Sequence, residues 1–214
     1  MRWVNKDTEI YCSFAKNSGN VGCQMMNTAF YHYGLNKIYK SFSVDNIEDA
    51  IKSVKTLNIK GFAVTMPFKQ EVLKYVDEID NSANIGAANT VINSNNKLKA
   101  YNTDYFASLE YLKNFKNIKE YDYFYILGDG GYSKAVKEAA KELNINYKTI
   151  TRNNWTDLNS VIYNCTPIEN LKSTISDDNI LIDCIVKTTT GKKLANMQAS
   201  HQFKLYTGLE FPLI

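Results

Sequence analysis

Three short segments in the first half of the chain hold residue types able to move a proton and to bind hydroxyl groups. They read Gly61-Phe-Ala-Val-Thr-Met-Pro-Phe-Lys69, Asn84-Ile-Gly-Ala-Ala-Asn-Thr90 and Ala100-Tyr-Asn-Thr-Asp104. A helix opened by Pro67 and running to about Val76 would place Val72, Leu73 and Val76 on the same face as Lys69. A helix N-terminus and partial desolvation both disfavour an ammonium, the condition under which a lysine turns into an acid–base group. The ordinary alternative is a lysine whose stem covers the core while its charge reaches water. Spacing leaves both readings open. Asp104, between a strand and a helix, suits an N-cap, and Asn89 and Asn102 suit turns and loop ends. Any function rests on the combination, since no one of these residues carries it.

A second kind of chemistry is written further on. The apolar stretch from Tyr121 to Leu127 runs straight into Gly128-Asp-Gly-Gly131. A glycine turn after a strand and before a helix turns backbone N–H groups toward a pyrophosphate. The full G-x-G-x-x-G is missing, because position 133 is Ser133. Asp129 repels a diphosphate unless it points away. Arg152 ends the next strand, where an acidic residue would hold the ribose of NAD and an arginine suits the 2′-phosphate of NADP. A solvated strand-end arginine is the alternative there.

Stepping from these residues to the elements that must hold them, Glu9 to Ala15 alternates as a strand, with Ile10, Cys12 and Phe14 on one side. A helix over about 24–33, closed by Gly34, and a strand over 38–44 follow. Asp45-Asn-Ile-Glu48 reads as a capping box ahead of Ile47, Ile51, Val54 and Leu57 at helical spacing. Strand 61–66 precedes the Pro67 helix, and a hairpin turns at Asn93-Ser-Asn-Asn96. A linking helix with Phe106, Leu109, Leu112 and Phe115 inward leads to strand 121–127, helix 133–143 and strand 147–152. Only seven residues separate Arg152 from the strand Ser160–Cys165, where a parallel crossover needs a dozen or more. A helix and a strand have been cut away here. Strand 180–186 and helix 194–206 complete the chain.

The expected fold is α/β in two small domains, a mixed-sheet substrate domain and a reduced Rossmann-like dinucleotide domain, with a cleft between them. The expected boundaries are 1–104, 105–190, and a C-terminal helix at 191–214 that returns toward the first domain. At 214 residues either domain can bury a core. An excess of 25 basic over 22 acidic residues is too small to argue for nucleic acid or membrane binding. The first residues carry no apolar signal-type run, so the expectation is a cytoplasmic protein that is a monomer or homodimer and acts on a small molecule. Four cysteines without close spacing and only two histidines argue against a metal site. Cys12, Cys165 and Cys184 lie in strand-like runs and read as small core residues.

Taken together, the segments resemble the shikimate dehydrogenase family over nearly the whole chain. The family's G-x-N-V-T-x-P-x-K is similar to Gly61–Lys69, with Ala63 for the asparagine, and its I-G-A-x-N-T to Ile85–Thr90. Its G-x-N-T-D is similar to Ala100–Asp104, its G-A-G-G to Gly128–Gly131, its N-R-T turn to Thr151–Asn153 and its N-A-T-P to Asn164–Pro167. Gln198 matches the glutamine of the closing helix. The resemblance implies an NADP-dependent oxidoreductase, with NAD as the alternative cofactor, acting on shikimate or a related cyclic polyol acid. It implies that Lys69 and Asp104 are the catalytic pair and that Thr65, Asn89, Asn102 and Gln198 hold hydroxyls. Gly128, Gly130, Gly131, Ser133, Arg152, Asn164 and Thr166 would bind the nucleotide.

The departures from the family pattern are specific. Its Ser-x-Ser carboxylate anchor falls on Asn20 and Gly22, Met26 replaces its histidine while Asn27 is kept, and Val186 stands for its tyrosine. Each lost charge-assisted bond costs about 1.5–3 kcal/mol. These losses resemble the shikimate dehydrogenase-like paralogues, weak shikimate oxidisers. They also open a second reading, a ligand-binding or regulatory protein that kept the pocket.

Overall fold

The first strand, β1 (Glu9–Ala15), is covered on both faces, and the first part of the fold is built around it. The computed structural model describes residues 4–116, 118–151, 159–171 and 175–212. The chain divides into two compact units, Met1–Thr103 with Ala199–Ile214, and Asp104–Gln198. Among the described residues no helix is long and apolar enough to cross a membrane.

In the first unit β1 is followed by α1 (Val21–His32), β2 (Lys37–Ser43), α2 (Ile47–Thr56), β3 (Gly61–Val64), the two-residue β4 (Glu78–Ile79), β5 (Thr90–Ser94) and β6 (Lys97–Tyr101). The strands form one mixed sheet in the order β2-β1-β3-β5-β6-β4, with β1 parallel to β2 and β3, and β5 antiparallel to β3 and β6. One face carries Cys12, Phe14, Phe62 and Val64 against Ile47, Ile51 and Val54 of α2. The other carries Tyr11 and Tyr39 against Met26 and Phe30 of α1 and against Phe203 and Tyr206 near the chain end. The hairpin expected at Asn93–Asn96 turns at Asn95 and Asn96, whose positive φ of 53° and 65° is the left-handed pair that a two-residue connection requires.

Three local expectations are corrected. The cap of α2 is Asn46, whose side chain accepts from Glu48 N–H at 2.7 Å and Asp49 N–H at 3.2 Å, and Asp45 instead pairs with Lys16. Leu57 is 63% exposed, because α2 stops at Thr56 and Asn58 takes the left-handed closing position (φ 52°), with Ile59 N–H returning to the Val54 carbonyl. The segment after Pro67 is a run of turns ending in a 3-10 helix at Glu71–Tyr75. Its Lys69 carbonyl accepts from Ala88 N–H at 2.8 Å, which ties the turn to the strand that follows.

The second unit holds α3 (Thr103–Lys113, from its second residue on), β7 (Tyr123–Leu127), α4 (Gly131–Glu142), β8 (Lys148–Ile150), β9 (Ser160–Asn164), β10 (Ile180–Asp183) and the first half of α5 (Thr189–Thr207). Its strands are all parallel in the order β10-β9-β7-β8. That is a doubly wound order in which β8 forms an edge among the described residues, with four strands where the usual unit has six. β9 is buried at all five positions, as a parallel central strand must be.

Asn46→Ala is expected to lower stability by about 1 kcal/mol, with Asp45→Ala costing less because its ion pair lies on the surface. Gly61→Ala would put a Cβ 2.7 Å from the buried Tyr206 ring and is expected to cost about 1–3 kcal/mol by overpacking. Urea midpoints at constant slope check all three.

Candidate functional site

The three motif segments converge in the first unit through the backbone of residues 87–89. Ala88 N–H bonds the Lys69 carbonyl at 2.8 Å, Asn89 N–H bonds the Tyr101 carbonyl at 3.1 Å, and the Asn89 carbonyl accepts from Val64 N–H at 2.8 Å. The Asn102 side-chain amide donates to the Ala87 carbonyl at 2.8 Å, and Asn102 N–H donates to Ser82 Oγ at 3.0 Å. Asn89, Thr90, Asn102 and Thr103 are all buried. Lys69 is half-buried and Thr65 exposed, on a turn held by Thr65 N–H to the Phe14 carbonyl and Phe68 N–H to the Thr65 carbonyl.

The orientation of Asn89 follows from donor and acceptor counting. Its Oδ1 accepts from Thr103 N–H at 2.7 Å, and the Thr103 and Thr90 hydroxyls each lie 3.1 Å from it. Gln202 Nε2 donates to Thr90 Oγ1 at 2.9 Å, which leaves the Thr90 hydroxyl proton for Asn89 Oδ1 or for Thr103 Oγ1 at 3.2 Å. With Oδ1 committed, what Asn89 offers a ligand is its NH2, a donor to a hydroxyl or carbonyl oxygen. Gln202 is 3% exposed and was passed over in sequence reasoning. The signal for it was its place one helical turn beyond Gln198, which is half-buried on α5.

Asp104 is 5% exposed and sits inside the first turn of α3, as its second residue, so it is not the cap that its sequence position suggested. A carboxylate there faces the positive end of the helix dipole. Near it in the second unit runs a chain of hydroxyls, Ser108 Oγ to Tyr163 Oη at 3.5 Å and Tyr163 Oη to Tyr132 Oη at 3.3 Å. Burial pushes the Tyr132 phenol well above its ordinary value, and the Tyr163 hydroxyl and Asp104 add to the push.

The glycine turn has the expected construction. Gly128 is left-handed (φ 107°), and a Cβ on it would lie 2.9 Å from Thr166 Cγ2. A Cβ on Gly130 would meet nothing within 4 Å, so the turn is open where the α4 N–H groups emerge. Ser133 is buried and spends its hydroxyl on the Gly130 carbonyl at 2.8 Å. Gly131 is the first residue of α4. Asp129 points away to Lys137 at 2.7 Å, and that bond holds its carboxyl below the usual range. Asn164 and Thr166 close a turn on each other. Asn164 Oδ1 accepts from Thr166 N–H at 2.9 Å and Thr166 Oγ1 at 2.7 Å, while its amide donates to Asp183 at 3.0 Å. Arg152 lies outside the described residues. Among the described residues no three His, Cys, Asp or Glu side chains are grouped to hold a metal.

Around the expected carboxylate anchor, Asn20 precedes α1 and makes no side-chain cap bond. The Ser18 hydroxyl pairs with Ser43 Oγ at 3.0 Å. Asn27 fastens α1 to β2, donating to the Tyr39 carbonyl at 2.8 Å and accepting from Tyr39 N–H at 2.9 Å, while Met26 is core.

Residues 20–91 match the family described as the shikimate dehydrogenase substrate binding domain. The chain is 42% identical over 142 residues to a shikimate dehydrogenase-like protein of Haemophilus influenzae, covering 64% of this chain and 51% of that protein. It is 42% identical over 134 residues to shikimate dehydrogenase (NADP(+)) of Alkaliphilus metalliredigens, covering 59% and 47%. The chain thus spans about half the length of these curated relatives. A solved structure of a shikimate 5-dehydrogenase-like protein superposes with a TM-score of 0.82 at 29% identity, covering 97% of this chain and 94% of that one.

Gln202→Leu removes the donor that orients Thr90 and is expected to lower stability by about 1–3 kcal/mol. Chemical denaturation reads the loss. Broadening of the Asn89 side-chain amide resonances reads the lost orientation.

Proposed function

Because the chain belongs to the shikimate dehydrogenase family, we propose that it is an NADP-dependent oxidoreductase of shikimate or a related cyclic polyol acid. The observation that supports this reading most is the junction at residues 87–89. There the lysine turn, the Asn89 strand and the Asn102 amide are tied by hydrogen bonds of 2.8 to 3.1 Å. Lys69 and Asp104 act on the hydroxyl being oxidised, one of them taking its proton as the carbon becomes a carbonyl. When bound, NADP supplies the hydride acceptor. Asn89 donates from its NH2 to a neighbouring ring hydroxyl, and Thr65 and Gln198 hold the remaining ones, while Asn102, wholly buried with its amide on the Ala87 carbonyl, braces the Asn89 segment instead of meeting the substrate. The open turn at Gly128–Gly131 fits a diphosphate, because a side chain at Gly128 would collide with Thr166 and the space over Gly130 is clear. Asn164 and Thr166 shape the adjoining turn, and Arg152 takes the 2′-phosphate.

The carboxylate anchor supports a second reading. Asn20 and Gly22 stand where two hydroxyls belong, and the Ser18 hydroxyl is engaged by Ser43. A ring acid held this way loses roughly tenfold or more per missing bond. That loss favours a ligand-binding or regulatory protein with weak turnover.

Lys69→Ala and Asp104→Asn are each expected to abolish NADP-dependent oxidation of shikimate with the circular dichroism melt unchanged. Full activity in Lys69→Ala would sink the mechanism. Thermal shift with NADPH, NADH, shikimate and quinate separates the two readings, since stabilisation by a ring acid with no nucleotide effect supports the binding protein. Lys137→Met lets the Asp129 pKa rise back toward the ordinary carboxylate value near 4, so the carboxylate stays ionised at pH 7 with its cation gone. NADPH affinity is expected to fall in that variant and to rise in Asp129→Asn, read by fluorescence titration.

A further inference from the structure

Two cysteines expected to be small core residues lie at strand ends, Cys165 packed against the edge of the second unit's core. β9 ends at Asn164 and β10 at Asp183, so Cys165 and Cys184 each lie one residue past a strand end, and both are partly exposed. The parallel pairing of the two strands places Asn164 opposite Asp183. Cys184 N–H donates to the Asn164 carbonyl at 3.2 Å, which carries the ladder one residue further and sets Cys165 beside Cys184. Register partners share a face of the sheet, and here that face is the one bearing Tyr163 and Ile182.

The sulfurs themselves agree with this register. Cys165 Sγ lies 3.8 Å from the Tyr163 carbonyl and Cys184 Sγ 3.8 Å from the Thr166 carbonyl, within one turn. Burial pushes the Tyr163 phenol up, and both cysteines add to that push, so both face the same hydroxyl. Neighbouring strands run about 4.8 Å apart, inside the roughly 4.4–6.8 Å Cα separation that a disulfide spans. By contrast Cys12 is wholly buried, and Cys23 is engaged by the Tyr39 carbonyl at 3.1 Å in the other unit.

We propose that Cys165 and Cys184 are a reversible dithiol–disulfide pair, oxidised by a low-molecular-weight disulfide such as oxidised glutathione. One thiolate attacks a sulfur of the oxidant, forming a mixed disulfide and releasing one small thiol. The second thiolate attacks the protein sulfur of that mixed disulfide, closing the Cys165–Cys184 bond and releasing the second small thiol. The two cysteines lose two protons and two electrons, and the oxidant takes up both. The closed bond pins the turn that carries Asn164 and Thr166, whose methyl group abuts Gly128. Bond formation does not depend on the proposed dehydrogenase activity.

The test equilibrates the full chain with glutathione buffers of increasing oxidation, traps remaining thiols with iodoacetamide and maps tryptic peptides. Cleavage after Lys172 separates the two cysteines. The expected result is one linked Cys165–Cys184 peptide pair, reversed by dithiothreitol, with Cys12 and Cys23 alkylated throughout. Cys165→Ser and Cys184→Ser should each abolish the link and leave a glutathione adduct on the remaining partner. Alkylated or glutathione-capped thiols at both positions, or links to Cys12, Cys23 or a second molecule, would overturn the proposal.

Discussion

The arrangement in the first unit depends on burying an asparagine and committing its side-chain oxygen and both its backbone polar groups. An amide left unbonded in a core costs about 1–3 kcal/mol, and Asn89 avoids that by bonding to three separate stretches of chain. Its backbone completes the step from β3 to β6, bonding Val64 on one side and Tyr101 on the other. Its side-chain oxygen gathers the Thr90 and Thr103 hydroxyls and the first N–H of α3. The neighbouring Ala88 N–H then bonds the Lys69 carbonyl, which ties the lysine turn to this strand. A polar residue at the centre thus decides where the lysine turn sits and which way the asparagine faces.

The second unit solves a different problem with less chain. A parallel sheet has both faces to cover and its strand ends to aim. Here the glycine turn is aimed by Gly128 N–H bonding the Ile150 carbonyl at 2.9 Å and by the closed Asn164–Thr166 turn beside it. Asp129, which would oppose a diphosphate, is drawn off by Lys137. β8 stands at the edge of this sheet among the described residues.

Much of the fold was readable from pattern, because hydrophobic periodicity and turn chemistry act over a few residues. β1, β2, the Asn95–Asn96 hairpin and the strand–turn–helix at Gly128 all lie within a few residues of their expected places. The misses share a cause. Asn46 rather than Asp45 caps α2 because its own N-cap geometry fits, and two adjacent cap-forming residues look alike in sequence. Where a helix is expected after Pro67, the segment is a run of turns and a 3-10 helix whose Lys69 carbonyl bonds Ala88, 19 positions later in the numbering. Cys165 lies past its strand because Asn164 turns the chain by accepting from Thr166 N–H, and Cys184 past its own because Asp183 does the same with Ile185 N–H.

From the sequence alone came the residue types: a lysine beside apolar positions, two asparagines that read as turn residues, and a glycine turn between a strand and a helix. Those follow from side-chain chemistry and short spacing, which need no fold. Only the tertiary structure decided that the Asn89 oxygen is spent on Thr103 N–H, that Gln202 bonds Thr90 beside it, and that Cys165 and Cys184 are neighbours. Each of these is a hydrogen bond or strand register between residues far apart in the chain. No local pattern encodes such a partner, because it exists only once both surfaces are packed.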